Sequence, residues 1–209
     1  ETASPNAERS TTPGSAPITA PSATAPRPAA ELGILPTTEV LLKVDKPTGA
    51  WFRLPVRAPI AAGERLLALP SYRPQVTLTS GSGITLEVVG AAVVELQAAD
   101  QEGVLGIHLL YGRVILLNVG GTDNRFRLQL GDHEHQVQFG DVGATLAIGL
   151  TRKHVPGADP EKSPAPVAVR VHATSGRLQW RAANEDSGTE MTAPGQWTLD
   201  NGRLLPVAD

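Results

Sequence analysis

The densest set of side chains able to do chemistry is Asp132-His133-Glu134-His135, where two histidines and two carboxylates stand side by side. Imidazole nitrogens and carboxylate oxygens together suit zinc or another divalent ion. The surrounding pattern argues against that use. Arg125-Phe126-Arg127-Leu128-Gln129-Leu130 alternates apolar with polar and is answered by Gln136-Val137-Gln138-Phe139, which makes a hairpin with one buried and one wet face. Its turn takes Gly131 to Glu134, and only His135 enters the strand. The spacing also misses the cupin pattern, since Arg127 stands where a Gly is wanted and Gln138 and Phe139 where a Glu is wanted. A solvated turn is the expectation, with no metal or other cofactor; His133 and His135 are the residues to watch.

Other chemistry is harder to assemble. His108, His154 and His172 have no Ser or carboxylate in a nucleophile setting, and Gly-x-Ser-x-Gly is absent. Gly120-Gly121 joins strands and leads to no helix N-terminus, so it is no phosphate cradle. Acids such as Asp100, Glu102, Asp123 and Asp159 fall at turns. No enzyme is expected.

Binding has better candidates. Trp51, which follows the Pro47-Thr48-Gly49 turn, is the tryptophan expected to be exposed, while Trp180 and Trp197 read as packing anchors. Pro70-Ser71-Tyr72-Arg73-Pro74 is a rigid loop that presents Tyr72 and Arg73 at little entropic cost. A carbohydrate platform built from the three tryptophans is the alternative to a protein contact.

The elements that must position these residues are strands. From residue 39 onward short β-branched apolar runs are broken by Gly, Pro, Asn or Asp. They cover 39–44, 51–54, 65–69, 75–79, 84–88, 91–96, 105–110, 113–119, 125–130, 135–139 and 144–150, then 167–172, 177–181, 196–199 and 203–207. No window carries a long apolar stripe at helical period. The predicted fold is all-β, a sandwich, barrel or short β-solenoid of many short antiparallel strands. Gly-Arg-aliphatic recurs at Gly112, Gly176 and Gly202, each expected to open a strand.

Residues 1–36 are rich in Pro, Ala and Thr and are expected to form a disordered tether, because they offer too little apolar surface to offset ordering. The all-β domain is expected over 37–209, with an exposed Pro-rich loop at 155–166 holding Pro156, Pro160, Pro164 and Pro166. Three Trp, three Phe and two Tyr leave the core to Val, Leu and Ile. A net charge of −3 gives no general attraction to phosphate backbones, which excludes nucleic acid as the expected partner. Cysteine is absent, which removes disulfides and thiolate chemistry. No stretch approaches the roughly 20 apolar residues that span a bilayer, so no membrane insertion is expected within this chain.

Two stretches carry a family resemblance. One runs from Leu66-Leu67-Ala68-Leu69 through Gln75-Val76-Thr77-Leu78 and Ile84-Thr85-Leu86-Glu87-Val88-Val89-Gly90 to Leu109-Leu110-Tyr111-Gly112-Arg113-Val114. The other is Val169-Arg170-Val171-His172-Ala173-Thr174-Ser175-Gly176-Arg177-Leu178. Together they resemble the FecR domain family, the envelope-exposed β domain of bacterial sensor and anti-sigma proteins. The chain departs from that family's Gly-Thr-x-Phe strand, offering Gly143-Ala144-Thr145-Leu146 instead. The resemblance implies a non-enzymatic extracytoplasmic domain, in the periplasm or on the cell surface, anchored by a segment upstream of residue 1. It would bind another protein; glycan is the second choice.

Overall fold

The computed structural model describes residues 30–79, 83–153, 156–157, 165–183, 185 and 187–207. These form sixteen strands and no helix, all hydrogen-bonded into one network that is not closed into a barrel. Most of the expected tether and most of the loop at 155–166 lie outside the described residues.

Two long strands organise everything else. β7 (Ile84–Gln97) and β8 (Gly106–Asn118) form an antiparallel hairpin whose register slips in mid-strand, between Val89 and Val94. Gly90 and Gly112 sit at that slip with φ of +65° and +95°, values that L side chains rarely adopt. A bulge with paired glycines bends both strands sharply. The sequence pattern broke each of these strands into two, at Gly90 and Gly112. The chain instead runs on through both glycines and uses them as a corner. Gly112 therefore bends a strand, while Gly176 and Gly202 stand in turns between strands.

Each side of the corner anchors one leaf. The first leaf uses residues 91–97 of β7 and 106–111 of β8. On one flank lie β5 (Arg65–Ala68), β2 (Leu41–Val44) and β3 (Trp51–Arg53). On the other lie β9 (Asn124–Leu130), β10 (His133–Phe139), β13 (Arg177–Ala182) and β14 (Thr189–Thr192). The second leaf uses 84–89 of β7 and 112–118 of β8. Its flanks are β6 (Gln75–Leu78), β1 (Glu31–Ile34) and β4 (Pro59–Ala61) on one side. β11 (Thr145–Arg152), β12 (Val167–Ser175), β15 (Gly195–Asp200) and β16 (Arg203–Pro206) complete the other.

One exchange in β8 shows how the leaves part. Residues 106–109 pair in parallel with β9, while residues 112–117 pair antiparallel with β11. Both leaves alternate buried with exposed residues, and the buried faces of both contribute to one apolar cluster, from Leu66, Val94, Leu109 and Phe126 to Leu86, Val114, Ile148 and Val171. The leaves thus meet face to face as a sandwich, the architecture that period-2 patterning of every strand demands.

Three elements have no counterpart in the sequence pattern. β1 brings Leu32 and Leu35 into the core, so the ordered unit begins before residue 37. β4 starts on a proline and holds one buried residue, Ile60; β14 likewise buries only Met191. Strands this short, with polar or Pro-rich surroundings, have no readable alternation. The hairpin turn is also tighter than expected: His133 pairs with Leu130, which leaves only Gly131-Asp132 in the loop and places His133 and Glu134 in β10.

Candidate functional site

Trp51 and Phe52 lie on β3, whose only strand partner among the described residues is β2. They are 40% and 43% exposed although both are large and apolar. Alternation sends them to opposite sides of the edge. Lys43, opposite Phe52 in the register, holds its Nζ 5.7 Å from the ring centroid and also binds Glu64. Among the described residues no strand pairs with the outer flank of β3, and the two rings stand on either face of that edge.

Tyr72 and Arg73 are elsewhere, on the loop between β5 and β6 beside the corner. The Tyr72 carbonyl accepts from Gly90 N and the Pro74 carbonyl accepts from Val88 N, which fixes the loop to the bend. Arg73 donates its backbone N–H to Glu39 and its guanidinium to Glu87. Tyr72 is 40% exposed. Two strands, β2 and β5, separate β3 from β7, to which the Tyr72-Arg73 loop is fixed.

The tryptophans do not converge. Trp180 is 2% exposed on β13, seven strand steps from β3 in the first leaf, or about 34 Å along the sheet at ~4.8 Å per step. Trp197 is half-buried on β15 in the second leaf and packs against the core. No three-ring platform exists.

The two histidines of the hairpin also take separate roles. His135 is buried on the inward face, where its Nδ1 accepts from Trp180 Nε1 at 3.2 Å and its Nε2 has no partner among the described residues. Burial, and second the neighbouring His133, pull its pKa down to about 4. The ring is therefore neutral at physiological pH. His133 is exposed, its ring centroid 6.4 Å from that of His135, and it lies against the Gly202 turn. Among the described residues no three of His, Cys, Asp and Glu converge on one point.

Sequence reasoning missed a polar hub. Asn118 at the end of β8 is fully buried. Its Nδ2 donates to the carbonyls of Gly121 and Asp141, both at 2.9 Å, and its Oδ1 accepts from Gly120 N and Asn124 Nδ2. This one amide ties the β8–β9 connection to the β10–β11 turn and is structural. Its only signal was an Asn ending an apolar strand.

No family model matches the chain, and no curated protein matches it. Among solved structures, a candidate anti-sigma factor from Parabacteroides distasonis is similar at 14% identity and a TM-score of 0.43. The likeness covers 68% of this chain and 57% of that one. No helix among the described residues is long and apolar enough to cross a membrane.

Proposed function

We propose that this chain is a non-catalytic binding or sensing domain of the cell exterior that contacts another protein through the β3 edge. The observation that carries the proposal is the Trp51-Phe52 pair, two rings left exposed on an edge with no strand partner among the described residues. An open edge offers main-chain hydrogen bonds to an added strand, and the rings supply the burial that gives such a contact its affinity. Tyr72 and Arg73, fixed to the corner by the Gly90 and Glu87 contacts, offer a second contact point on a rigid mount. Exterior placement is supported by the Pro/Ala/Thr composition of residues 1–30 and by the FecR-like residue pattern. The dispersal of Trp51, Trp180 and Trp197 removes the observation that a sugar-stacking module would need.

A photo-crosslinking phenylalanine analogue at position 52, in the native cell, tests this reading. A discrete protein adduct recovered with the envelope is expected. The same analogue at Gln136, on the outer face of the first leaf, should give none, and Trp51→Ala should weaken the partner at least tenfold without changing the unfolding midpoint. Adducts only to glycan, adducts equally strong from Gln136, or no adduct at either position would overturn it.

A further inference from the structure

The outer face of the second leaf carries a groove that the β3 reading does not use. Its volume is about 910 Å³, and it crosses β8, β11 and β12 just beyond the corner. Cross-strand register explains its shape. Arg113 on β8 pairs with Gly149 on β11, and Gly149 pairs with Arg170 on β12. The row therefore reads arginine, no side chain, arginine. Ala147 and Ala168 keep the neighbouring floor low, and the stem of Arg113 lies along Gly149 with its Cγ 3.5 Å from where a Cβ would stand.

The charge of this groove runs against that of the chain. Formal net charge is −3 overall, yet among the described residues the lining holds Arg73, Arg113, Arg170, Lys153 and His172 and no carboxylate. Glu87 offsets Arg73 alone. Neither Arg113 nor Arg170 meets a carboxylate among the described residues. Arg113 and Arg170 flank the side-chain-free Gly149 from either side, so both guanidinium groups are open to one anionic ligand laid across the row. Arginine favours carboxylate, which its planar fork binds with two hydrogen bonds.

We infer that this groove binds an acidic, extended segment of a protein. Arg113 and Arg170 are two strand steps apart, roughly 10 Å at ~4.8 Å per step. Carboxylates three residues apart on a segment extended as polyproline II, with three residues per turn and ~3.1 Å rise, lie on one face and span about the same distance. The apolar floor, with Val89 and Ile115 beside the alanines, accommodates the aliphatic side chains of such a segment. The lining has no Trp, Tyr or Phe among the described residues on which a sugar could stack, which favours peptide over an anionic polysaccharide. The groove shares Arg73 with the contact proposed above but no residue of β3, so the two uses can be tested separately.

Panning the full chain against displayed random decapeptides tests this. The expected result is enrichment of sequences with Asp or Glu three residues apart. An enriched peptide, labelled with fluorescein, should bind by fluorescence anisotropy. Arg113→Ala or Arg170→Ala should each weaken it ten- to a hundredfold, and Arg181→Ala, on the first leaf, by less than twofold. Gly149→Val supplies a variant that keeps the fold, because a Cβ there meets nothing closer than 3.5 Å and valine suits a strand; it should abolish binding by filling the floor. No acidic enrichment, binding indifferent to Arg113, Arg170 and Gly149, or Arg-dependent binding of polygalacturonate in place of peptide would overturn the inference. Loss of the β3 crosslink leaves each of these outcomes unchanged.

Discussion

Replacing Gly112 by alanine should be the most damaging single methyl in the corner, and the structure says by how much. An added Cβ would stand 2.4 Å from Ala92 Cβ and 2.5 Å from Ala91 O and Ala92 Cα. None of these atoms belongs to a flexible side chain, so the strands themselves must move. A left-handed backbone costs an L residue about 1–2 kcal/mol, and forcing extra volume into a packed site about 1–3 more. Reduced freedom of the unfolded chain returns about 0.4–1 kcal/mol. The net loss spans about 1–5 kcal/mol and centres on ~3, which for a domain of this size lowers Tm by roughly 6–12 °C. Gly90→Ala is the internal control. Its φ of +65° carries the same backbone penalty, but the nearest atom to a Cβ is Arg113 Nη2 at 4.0 Å, so the loss should be only about 0.5–1 kcal/mol. Urea unfolding of both variants, followed by fluorescence of buried Trp180, measures the pair. If Gly112→Ala falls within about 0.5 kcal/mol of Gly90→Ala, the close approach of β7 to β8 at the bend is wrong, and with it the account of how one hairpin serves two leaves.

Asn118→Ala removes all four hydrogen bonds of a buried amide and strands their partners, and should cost about 2–5 kcal/mol in the same assay; a loss under 1 kcal/mol would show that water replaces the amide. Acid stability provides a test of His135. Its folded pKa of about 4 lies below the ordinary value of 6.5, so the unfolded chain binds the extra proton. The neutral ring's contribution is complete above pH 6.5 and is lost as pH falls through 4, on the order of 3 kcal/mol. His135→Phe should flatten this part of the stability–pH curve relative to the parent; an unchanged slope, or a histidine NMR titration near 6.5 assigned to His135, would contradict its burial.

Much of the fold was legible because the signal is local. Phe126, Leu128 and Leu130 alternate with Arg125, Arg127 and Gln129, and such a strand has one buried face wherever it is placed. β1, β4 and β14 were not legible, since a four-residue strand carries at most two turns of the alternation and β4 opens on a proline. The candidate sites show the same division. The exposure of Trp51 and the rigidity around Tyr72 follow from neighbouring turn residues. The groove does not, because Arg113, Gly149 and Arg170 are far apart in sequence and become one row only through cross-strand register.

The hairpin motif Asp132-His133-Glu134-His135 shows where sequence stops and tertiary structure begins. The sequence by itself determined that His135 shares the parity of Val137 and Phe139, and hence that it faces inward when its neighbours do. It could not determine that a strand arriving from residues 177–182 would set Trp180 against that ring and occupy its Nδ1, or that burial, and second His133, would lower its pKa. Nor could it say which glycines end a strand and which bend one, since both require the same backbone freedom. Periodicity fixes which face of a strand is apolar; only the pairing of distant strands decides what that face, or the other, meets.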